Sequence, residues 1–247
     1  MSPVNRTPRL LLLIGAAALA LAACGDDSTA GSGADTTTPA AVTTVGAAAD
    51  TTAPAAPTTV LGGAECAKAD GSSPKTQQFS AIPPNCIEDG TTYIAVIETN
   101  QGTLHVTLRN DIAPVTVNSF VNLARFHYFD GTTCHRAIQG FVVQCGDPTA
   151  TGTGGPGYEI PDEFDKIEPY RIGSMAMANT GQPNSGGSQF FIITGDQGAS
   201  LPPSYTLFGQ VIDDDLGLVA ALDALGNPQD GPPLQPIDIT SVTIQEK

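Results

Sequence analysis

From residue 91 onward, hydrophobic and polar positions alternate over short runs that are typical of β-strands. Residues 93–99 and 103–108 are two such runs, and the Asn100-Gln101-Gly102 loop between them predicts a hairpin. Further short apolar runs predict strands at 142–143, 174–178, 190–194, 207–211 and 237–244. The C-terminal part of the chain is therefore predicted to be mainly β.

Two segments instead repeat their apolar residues with helical spacing. Pro114 suits the first turn of a helix, and its apolar stripe at i, i+3, i+4 and i+7 consists of Val117, Phe120, Val121 and Ala124. A second helix is predicted at 216–225, ended by Gly226 and Pro228 and capped by the acidic residues 213–215. Many short strands with Gly/Pro turns and two helices indicate a closed antiparallel barrel.

The first 23 residues have the pattern of a secretion signal. Arginines precede an apolar run at 10–22 that is too short for a stable transmembrane helix. The run ends in Leu-Ala-Ala-Cys, which resembles a bacterial lipobox, so we predict a signal peptide at 1–23 and lipidation of Cys24. An ordinary signal peptide cut near Ala23 is the alternative. Lipidation predicts an exported protein anchored to the outer face of a bacterial cell membrane or to a periplasmic membrane face.

The segment after Cys24 has the composition of a linker. Residues 25–62 are almost entirely Ala, Thr, Gly, Pro, Ser and Val, with four Asp and no Lys, Arg or aromatic residue. Such a segment cannot bury enough apolar surface to offset its chain entropy, so we predict a disordered tether at 24–62 with a reach of roughly 35 Å. Residues 63–90 are predicted to form an N-terminal extension, and 91–247 a folded domain.

Acidic residues dominate the charge of the predicted extension and domain. Residues 63–247 carry 21 Asp and Glu against 8 Lys and Arg. Nucleic-acid binding needs a basic surface, so this balance argues against a nucleic-acid partner. It also disfavours electrostatic binding to anionic lipid, so a membrane contact is expected only through the lipid on Cys24.

Cysteine usage is consistent with an oxidising compartment. Setting Cys24 aside, four cysteines are left, which are Cys66, Cys86, Cys134 and Cys145. An even number in an exported domain suggests disulfides, and four cysteines allow three pairings. We favour Cys66–Cys86, which would staple the Pro-rich extension, and Cys134–Cys145, which would cross a hairpin. A zinc site is the alternative, although no C-x-x-C occurs and only His135 adjoins a cysteine.

Two longer segments carry the candidate chemistry. The first, C-H-R-A-I-Q-G-F-V-V-Q-C-G-D at 134–147, predicts two short strands joined near Gln139-Gly140. The second, S-M-A-M-A-N-T-G-Q-P-N-S-G-G-S-Q-F-F-I-I-T at 174–194, supplies another amide pair and another Phe. In order and in approximate spacing, these segments resemble the two signature regions of the cyclophilin family of peptidyl-prolyl cis-trans isomerases. The resemblance covers 91–247 and implies a closed eight-stranded antiparallel barrel capped by two α-helices.

The resemblance also implies a role for each matching residue. Rotation about a peptide bond has a barrier of about 18–20 kcal/mol, and a permanently protonated, stiff donor can stabilise the twisted amide. Arg136 would be that donor, Gln144 would hold its guanidinium and Phe141 would contact the proline ring, so these three are the predicted catalytic residues. The predicted substrate-binding residues are His135, Val142, Ala178, Asn179, Gln189, Phe191, Leu201 and Tyr205. No cofactor and no metal is implied.

Each of these residues also has an ordinary structural interpretation. Arg136 alone would be a surface arginine in a salt bridge, Asn179 a turn residue and Leu201 a loop residue over the core. Phe190 is expected in the core, because neighbours on a strand face opposite sides. The G-T-G-G-P-G run at 152–157 matches G-x-G-x-x-G only weakly and is predicted to be a flexible surface loop.

Two positions depart from the family pattern. Ser200 stands where many members have Trp, so we expect weak cyclosporin binding, and Tyr205 stands where many have His, so specificity could change. The expected partners are proline-containing polypeptides, and the expected state is a monomer. The alternative function is a tethered proline-peptide-binding or chaperone module with little turnover. Arg136 discriminates between the two, because binding alone should tolerate its loss.

Overall fold

The fold is described from a computed structural model that covers residues 61–62 and 65–247. The described residues belong to one compact unit, 54–247. The predicted signal peptide, the lipidation site Cys24 and the tether up to residue 60 lie outside the described residues. The last two residues of the predicted tether form β1 (Leu61–Gly62), which pairs in parallel with β2 (Gln78–Phe79). The predicted boundary at residue 62 therefore differs from the structure by at least these two residues.

A nine-stranded antiparallel sheet dominates this unit. Its strands in chain order are β3 (Tyr93–Thr99), β4 (Gly102–Leu108), β5 (Thr132–Thr133), β6 (Arg136–Ile138), β7 (Val142–Cys145), β8 (Ser174–Met177), β9 (Phe190–Ile193), β10 (Leu207–Val211) and β11 (Asp238–Glu246). Their spatial order is β5-β11-β3-β4-β10-β8-β9-β7-β6. The mainly β prediction is confirmed, and the predicted strands differ from these by only a few residues at their ends.

The prediction of a closed eight-stranded barrel is not matched. Among the described residues, the sheet is curled, and its two edge strands, β5 and β6, pair with β11 and β7 and not with each other. Only Cys134 and His135 separate these edge strands along the chain. The segment 132–138 is thus interrupted at these two residues, and its two parts, β5 and β6, pair at opposite ends of the sheet. This interruption accounts for the ninth strand. The two-residue β5 is too short to show alternation, so its sequence pattern did not predict it.

Three α-helices accompany the sheet in the described residues, which are α1 (Pro114–Arg125), α2 (Asp196–Ala199) and α3 (Leu216–Ala224). The first and third were predicted, and the predicted stripe of α1 is fully buried. The single turn α2 was not, because four residues carry no helical periodicity. The prediction that residues 213–215 cap α3 is wrong in detail. Asp215 stands at the N-cap position, but its side chain makes no capping hydrogen bond. Its carboxylate instead accepts hydrogen bonds from the main-chain N–H and the ring Nδ1 of His105.

The N-terminal extension packs against α1 and the turn that follows it. The side-chain oxygens of Asn122 and Asn118 accept hydrogen bonds from the main-chain N–H groups of Ala67 and Cys86, both at 2.7 Å. Phe79 is buried in the main core, with its ring centroid 5.3 Å from that of Phe126. Although it lies outside the resemblance, the extension is therefore part of the folded unit.

Both favoured disulfides are present. Cys66 is bonded to Cys86 within the extension, and Cys134 is bonded to Cys145 across the hairpin of β6 and β7. The zinc alternative is therefore wrong, because all four thiols are used. Among the described residues, no helix is long and apolar enough to cross a membrane.

Alternation along the strands gives the sheet two apolar faces. Phe190 lies in the main core with ring contacts to Phe120 and Phe129, whereas its neighbour Phe191 belongs to a separate cluster on the other face. Val143 and Val142 divide in the same way. The second cluster lies under the residues that the sequence predicts to bind substrate, and it positions the candidate site.

Candidate functional site

Nine of the predicted site residues line one cavity of about 180 Å³, here called the small cavity. They are Arg136, Phe141, Val142, Gln144, Ala178, Asn179, Phe191, Leu201 and Tyr205. The second apolar cluster forms its floor, with Phe191 buried and the Tyr205 ring packed edge-on against it at a centroid distance of 5.1 Å. The structure thus brings together residues that are far apart in the sequence.

Arg136 is held at the rim of the small cavity by the hairpin of β6 and β7. It lies directly opposite Gln144 in the strand register, and its Nη1 donates a hydrogen bond to Gln144 Oε1 at 3.3 Å. Its Cζ lies 5.7 Å from the centroid of the Phe141 ring, within the range of a cation–π interaction. The hairpin therefore places a permanent positive charge beside an apolar slot.

A carboxylate that the sequence did not point to also holds this guanidinium. Asp230 accepts hydrogen bonds from Arg136 Nε at 2.7 Å and from Nη2 at 3.0 Å. These bonds lower the pKa of Asp230, so it is ionised at neutral pH. Asp230 lies in the Gly/Pro-rich loop after α3, where no hydrophobic pattern would have predicted a contact with the hairpin.

Gln144 and Gln189 connect the small cavity to a larger one. Gln144 Nε2 donates to Gln189 Oε1 at 3.0 Å, and Gln189 Nε2 donates to the main-chain oxygens of Gly152 and Gly154 at 3.0 and 2.9 Å. Both glutamines line the neighbouring cavity of about 920 Å³, here called the large cavity. Gln189 does not line the small cavity itself, so it lies between the small and large cavities.

The 152–157 loop forms much of the wall of the large cavity, and a buried carboxylate organises it. Asp147 accepts hydrogen bonds from the main-chain N–H groups of Thr149, Thr151, Gly152 and Gly154, at 2.6 to 3.1 Å. Burial alone would raise the pKa of Asp147, but these bonds and one from the Thr149 hydroxyl lower it to about 2. A Cβ at Gly154 would overlap the Asp147 carboxylate, so a larger residue there would have to displace that carboxylate. The loop is thus tied down, whereas the sequence predicted flexibility.

Tyr170 fixes the segment that carries Tyr205. Its buried hydroxyl donates to the main-chain oxygen of Tyr205 at 2.6 Å and accepts from the main-chain N–H of the same residue at 3.0 Å. Asn179 ties the same segment to the end of β8, because its side chain donates to the main-chain oxygen of Ser204 at 3.0 Å. The side-chain amide of Asn179 therefore has a hydrogen-bond partner within the protein.

His135 does not line either of these two cavities. Neighbours on an extended chain point to opposite sides, so Arg136 at the small cavity turns His135 away from it. The ring Nδ1 is buried without a hydrogen-bond partner among the described residues, and burial lowers the pKa of His135. A direct role in substrate binding, as predicted for His135, therefore has no support from its position.

The arrangement combines a fixed cation, an apolar slot and main-chain hydrogen-bonding groups. It offers electrostatic stabilisation and shape, which suit a reaction in which no covalent bond forms. Among the described residues, no group of three His, Cys, Asp or Glu side chains could hold a metal ion.

Three comparisons show which known proteins this chain is similar to. Residues 94–244 match the family model for the cyclophilin type peptidyl-prolyl cis-trans isomerase/CLD. A Mycobacterium tuberculosis protein named "Probable peptidyl-prolyl cis-trans isomerase B" is 43% identical over 164 residues, covering 59% of this chain and 52% of the relative. The "Peptidyl-prolyl cis-trans isomerase A" of the same organism is 39% identical over 173 residues, covering 62% and 92%. The chain therefore spans about half the length of the first relative and most of the second.

A solved structure gives the same result for the fold. The cyclophilin type peptidyl-prolyl cis-trans isomerase of Cryptosporidium parvum has a TM-score of 0.58 and 31% sequence identity to this chain. The match covers 63% of this chain and 99% of that structure. By its family model and its relatives, the chain belongs to the cyclophilin-type peptidyl-prolyl cis-trans isomerase family.

Proposed function

We propose that this protein catalyses cis-trans isomerisation of X-Pro peptide bonds. The single observation that carries the proposal is the position of the Arg136 guanidinium, which is held by Gln144 over the Phe141 ring at the rim of the small cavity. A proline ring in the apolar slot would bring its peptide nitrogen next to a charge that cannot be lost. Arg136, Gln144 and Phe141 are the proposed catalytic residues.

Electrostatics explains how such a site lowers the barrier. The cis and trans states of an X-Pro bond differ by about 0.5–1 kcal/mol, so the obstacle is the twisted amide between them. Twisting returns the lone pair to the nitrogen, and a guanidinium N–H can then donate to it. Because this bond is stronger in the twisted state than in either planar state, it lowers the barrier.

The relatives support the same reaction. Those described above are named peptidyl-prolyl cis-trans isomerases. The Cryptosporidium parvum protein was also solved in the presence of the dipeptide Ala-Pro, and that structure has a TM-score of 0.57 to this chain. We propose proline-containing polypeptides as substrates of this chain, with Val142, Phe191, Leu201 and Tyr205 around the proline ring, and Ala178, Asn179 and Gln189 along the peptide backbone.

A rate assay on a proline peptide tests the proposal. Arg136→Ala should lower kcat/KM by about a hundredfold, because it removes the donor that acts only in the twisted state. Arg136→Lys should recover little, since an ammonium lacks the stiff planar fork. Arg171→Ala, at an exposed arginine outside both cavities, is the matched control and should leave the rate unchanged. Equal rates for wild type and Arg136→Ala, with binding retained, would instead support a proline-peptide-binding or chaperone module with little turnover.

We also propose that the protein is an exported lipoprotein that assists the folding of other exported proteins. Support comes from the apolar run at 10–22, the Leu-Ala-Ala-Cys end at Cys24 and the linker composition of 25–62. Both disulfides are consistent with an oxidising compartment. Metabolic labelling with a tagged fatty acid tests the anchor, and equal labelling of wild type and Cys24→Ser would contradict it.

Three further expectations concern partners. The excess of acidic over basic residues disfavours binding to nucleic acid. Separately, we propose that the protein is a monomer. Cyclosporin should bind weakly, because Ser200 stands where many family members have Trp. Inhibition titrations of wild type and Ser200→Trp test this expectation, and equal inhibition of the two would contradict it.

A further inference from the structure

The loop after α3 delivers a carboxylate to the proposed catalytic arginine. Asp230 accepts hydrogen bonds from two donors on one edge of the Arg136 guanidinium, Nε at 2.7 Å and Nη2 at 3.0 Å. The two residues are 94 positions apart in the sequence. The contact therefore exists because the fold brings this loop to β6.

Main-chain pairing fixes the loop on both sides of Asp230. The N–H of Ala137 donates to the Gly231 oxygen at 3.0 Å, and the N–H of Asn227 donates to the Ala137 oxygen at 2.9 Å. Gln139 adds a third bond, from its N–H to the Asn227 oxygen at 3.0 Å. Because Ala137 follows Arg136 directly, the loop that carries Asp230 is bonded to β6, the short strand that also carries Arg136.

Stability alone does not explain this ion pair. The Asp230 side chain is 69% exposed and that of Arg136 is 29% exposed. Ion pairs between such exposed groups contribute little to folding, since water screens them and ordering two side chains costs entropy. A bidentate pair does fix the plane of a guanidinium, which a single contact does not.

The donor count shows which part of the guanidinium is left for a substrate. A guanidinium carries five N–H donors. Asp230 takes the Nε donor and one on Nη2, and Gln144 takes one on Nη1. One donor on Nη1 and one on Nη2 remain for a substrate.

We propose that Asp230 is a positioning residue that sets the plane of the Arg136 guanidinium and directs its remaining N–H donors toward the small cavity. This inference rests on the proposed isomerase function. Gln144 alone holds the guanidinium by one bond of 3.3 Å, which leaves the plane free to turn about that bond. Asp230 supplies the second and third points of attachment.

The proposal predicts a specific pattern of rates. Asp230→Ala should lower kcat about tenfold while KM changes less than about twofold, because the guanidinium is still present but misdirected. Asp230→Glu keeps the carboxylate and should recover part of kcat, whereas Asp230→Asn, which loses the charge and one acceptor, should recover less. In the Arg136→Ala background, Asp230→Ala should have no further effect, since there is nothing left to position.

The chain offers a matched control pair. Arg109 and Asp111 make the same bidentate contact, with Nε–Oδ1 and Nη2–Oδ2 distances of 2.9 Å, away from both cavities. Asp111→Ala should leave kcat and KM unchanged. A readout besides activity is the NMR resonance of the Arg136 Nε–H group, which should shift in Asp230→Ala and not in Asp111→Ala.

The outcomes separate the two claims. A wild-type protein without isomerase activity overturns the proposed function, and the Nε–H resonance then still tests the contact. An active wild type with unchanged or higher kcat in Asp230→Ala overturns the positioning role alone. An equal fractional loss from Asp230→Ala in the wild-type and Arg136→Ala backgrounds also overturns it, because the loss would then come from the loop and not from the arginine.

Discussion

The small and large cavities share a wall but are built in different ways. Side chains on paired strands make one side of the small cavity, with Arg136 and Gln144 opposite each other and Phe191 on the next strand. Main chain makes much of the large cavity, where the glycine-rich 152–157 loop has few side chains to offer. Strand register therefore determines much of the small cavity. The shape of the large cavity depends on the contacts that fix the 152–157 loop.

Besides Gln189, two parts of the chain hold that loop. Asp147 binds it from the inner side, and Gln78 of the extension binds it from the other, by donating to the Gly155 oxygen at 3.1 Å. The main-chain N–H of Phe79 adds a bond to the Pro156 oxygen at 2.7 Å. We infer that changes in the extension alter the large cavity while leaving the proposed catalytic geometry intact.

The largest expected effect comes from removing the carboxylate under the loop. Asp147→Ala leaves four main-chain N–H groups without their acceptor, so the free energy of unfolding should fall by about 3 kcal/mol. KM should rise about fivefold for a proline peptide long enough to fill the large cavity, and less for a short one. Urea unfolding and steady-state kinetics with both peptides measure these effects.

Two variants control this experiment. Asp147→Asn keeps the shape and one acceptor oxygen, so it should lie between Asp147→Ala and wild type. Asp165→Ala, at an exposed aspartate, should leave stability within about 0.5 kcal/mol. If Asp147→Ala raised KM equally for long and short peptides, the two cavities would not be separable in function.

The sequence predicted the residues of the small cavity better than those of the large one, because the resemblance named the former and strand alternation sorted them. The resemblance implied that Arg136, Gln144 and Phe191 belong to one site, and alternation placed Phe190 in the core instead. The structure pairs Arg136 with Gln144 across the hairpin. The buried stripe of α1 followed from helical spacing.

Contacts between a loop and a distant part of the chain leave no such pattern. Asp230 reaches Arg136, and Gln78 reaches Gly155, across 94 and 77 positions of the sequence. Neither residue stands in a periodic segment, and neither type is diagnostic of its role. The 152–157 run was predicted to be flexible because its composition is that of a free loop, and only the fold reveals the buried carboxylate of Asp147 beneath it. These contacts therefore depend on the tertiary fold, and periodicity in the sequence does not predict them.

A smaller effect is expected from the contact between the extension and the loop. Gln78→Ala removes one hydrogen bond to Gly155, so stability should fall by about 1 kcal/mol and KM for the long peptide should rise about threefold. Gln77→Ala is the matched control, because Gln77 is equally half-buried and donates to the Tyr128 oxygen away from the large cavity. It should cost similar stability without changing KM. A change in kcat of Gln78→Ala would show that the extension reaches the proposed catalytic geometry.

The smallest expected effect is a pH dependence at the other end of the extension. His127 Nε2 lies 2.9 Å from the Gly71 oxygen, and Nδ1 lies 2.9 Å from an oxygen of Asp130. Both partners are acceptors, so both ring nitrogens carry protons when the two bonds form. The bond to Gly71 raises the pKa of His127 above its usual 6.5, burial and nearby Lys75 oppose this, and Asp130 adds to it.

Because the folded-state pKa is raised, the stabilisation is complete below about pH 6.5 and is lost as the pH rises through the folded-state value. The pair is partly exposed, so the free energy of unfolding should decrease by about 0.5 kcal/mol across this step. His127 has a φ of 54°, and asparagine tolerates that conformation without titrating, so His127→Asn should not show the step. Hydrogen exchange at high pH should accelerate in residues 67–79 and not in β6 and β7, after correction for the intrinsic rate. Equal acceleration in both regions would show that the extension and the hairpin open as one unit. The small and large cavities would then not be held independently of each other.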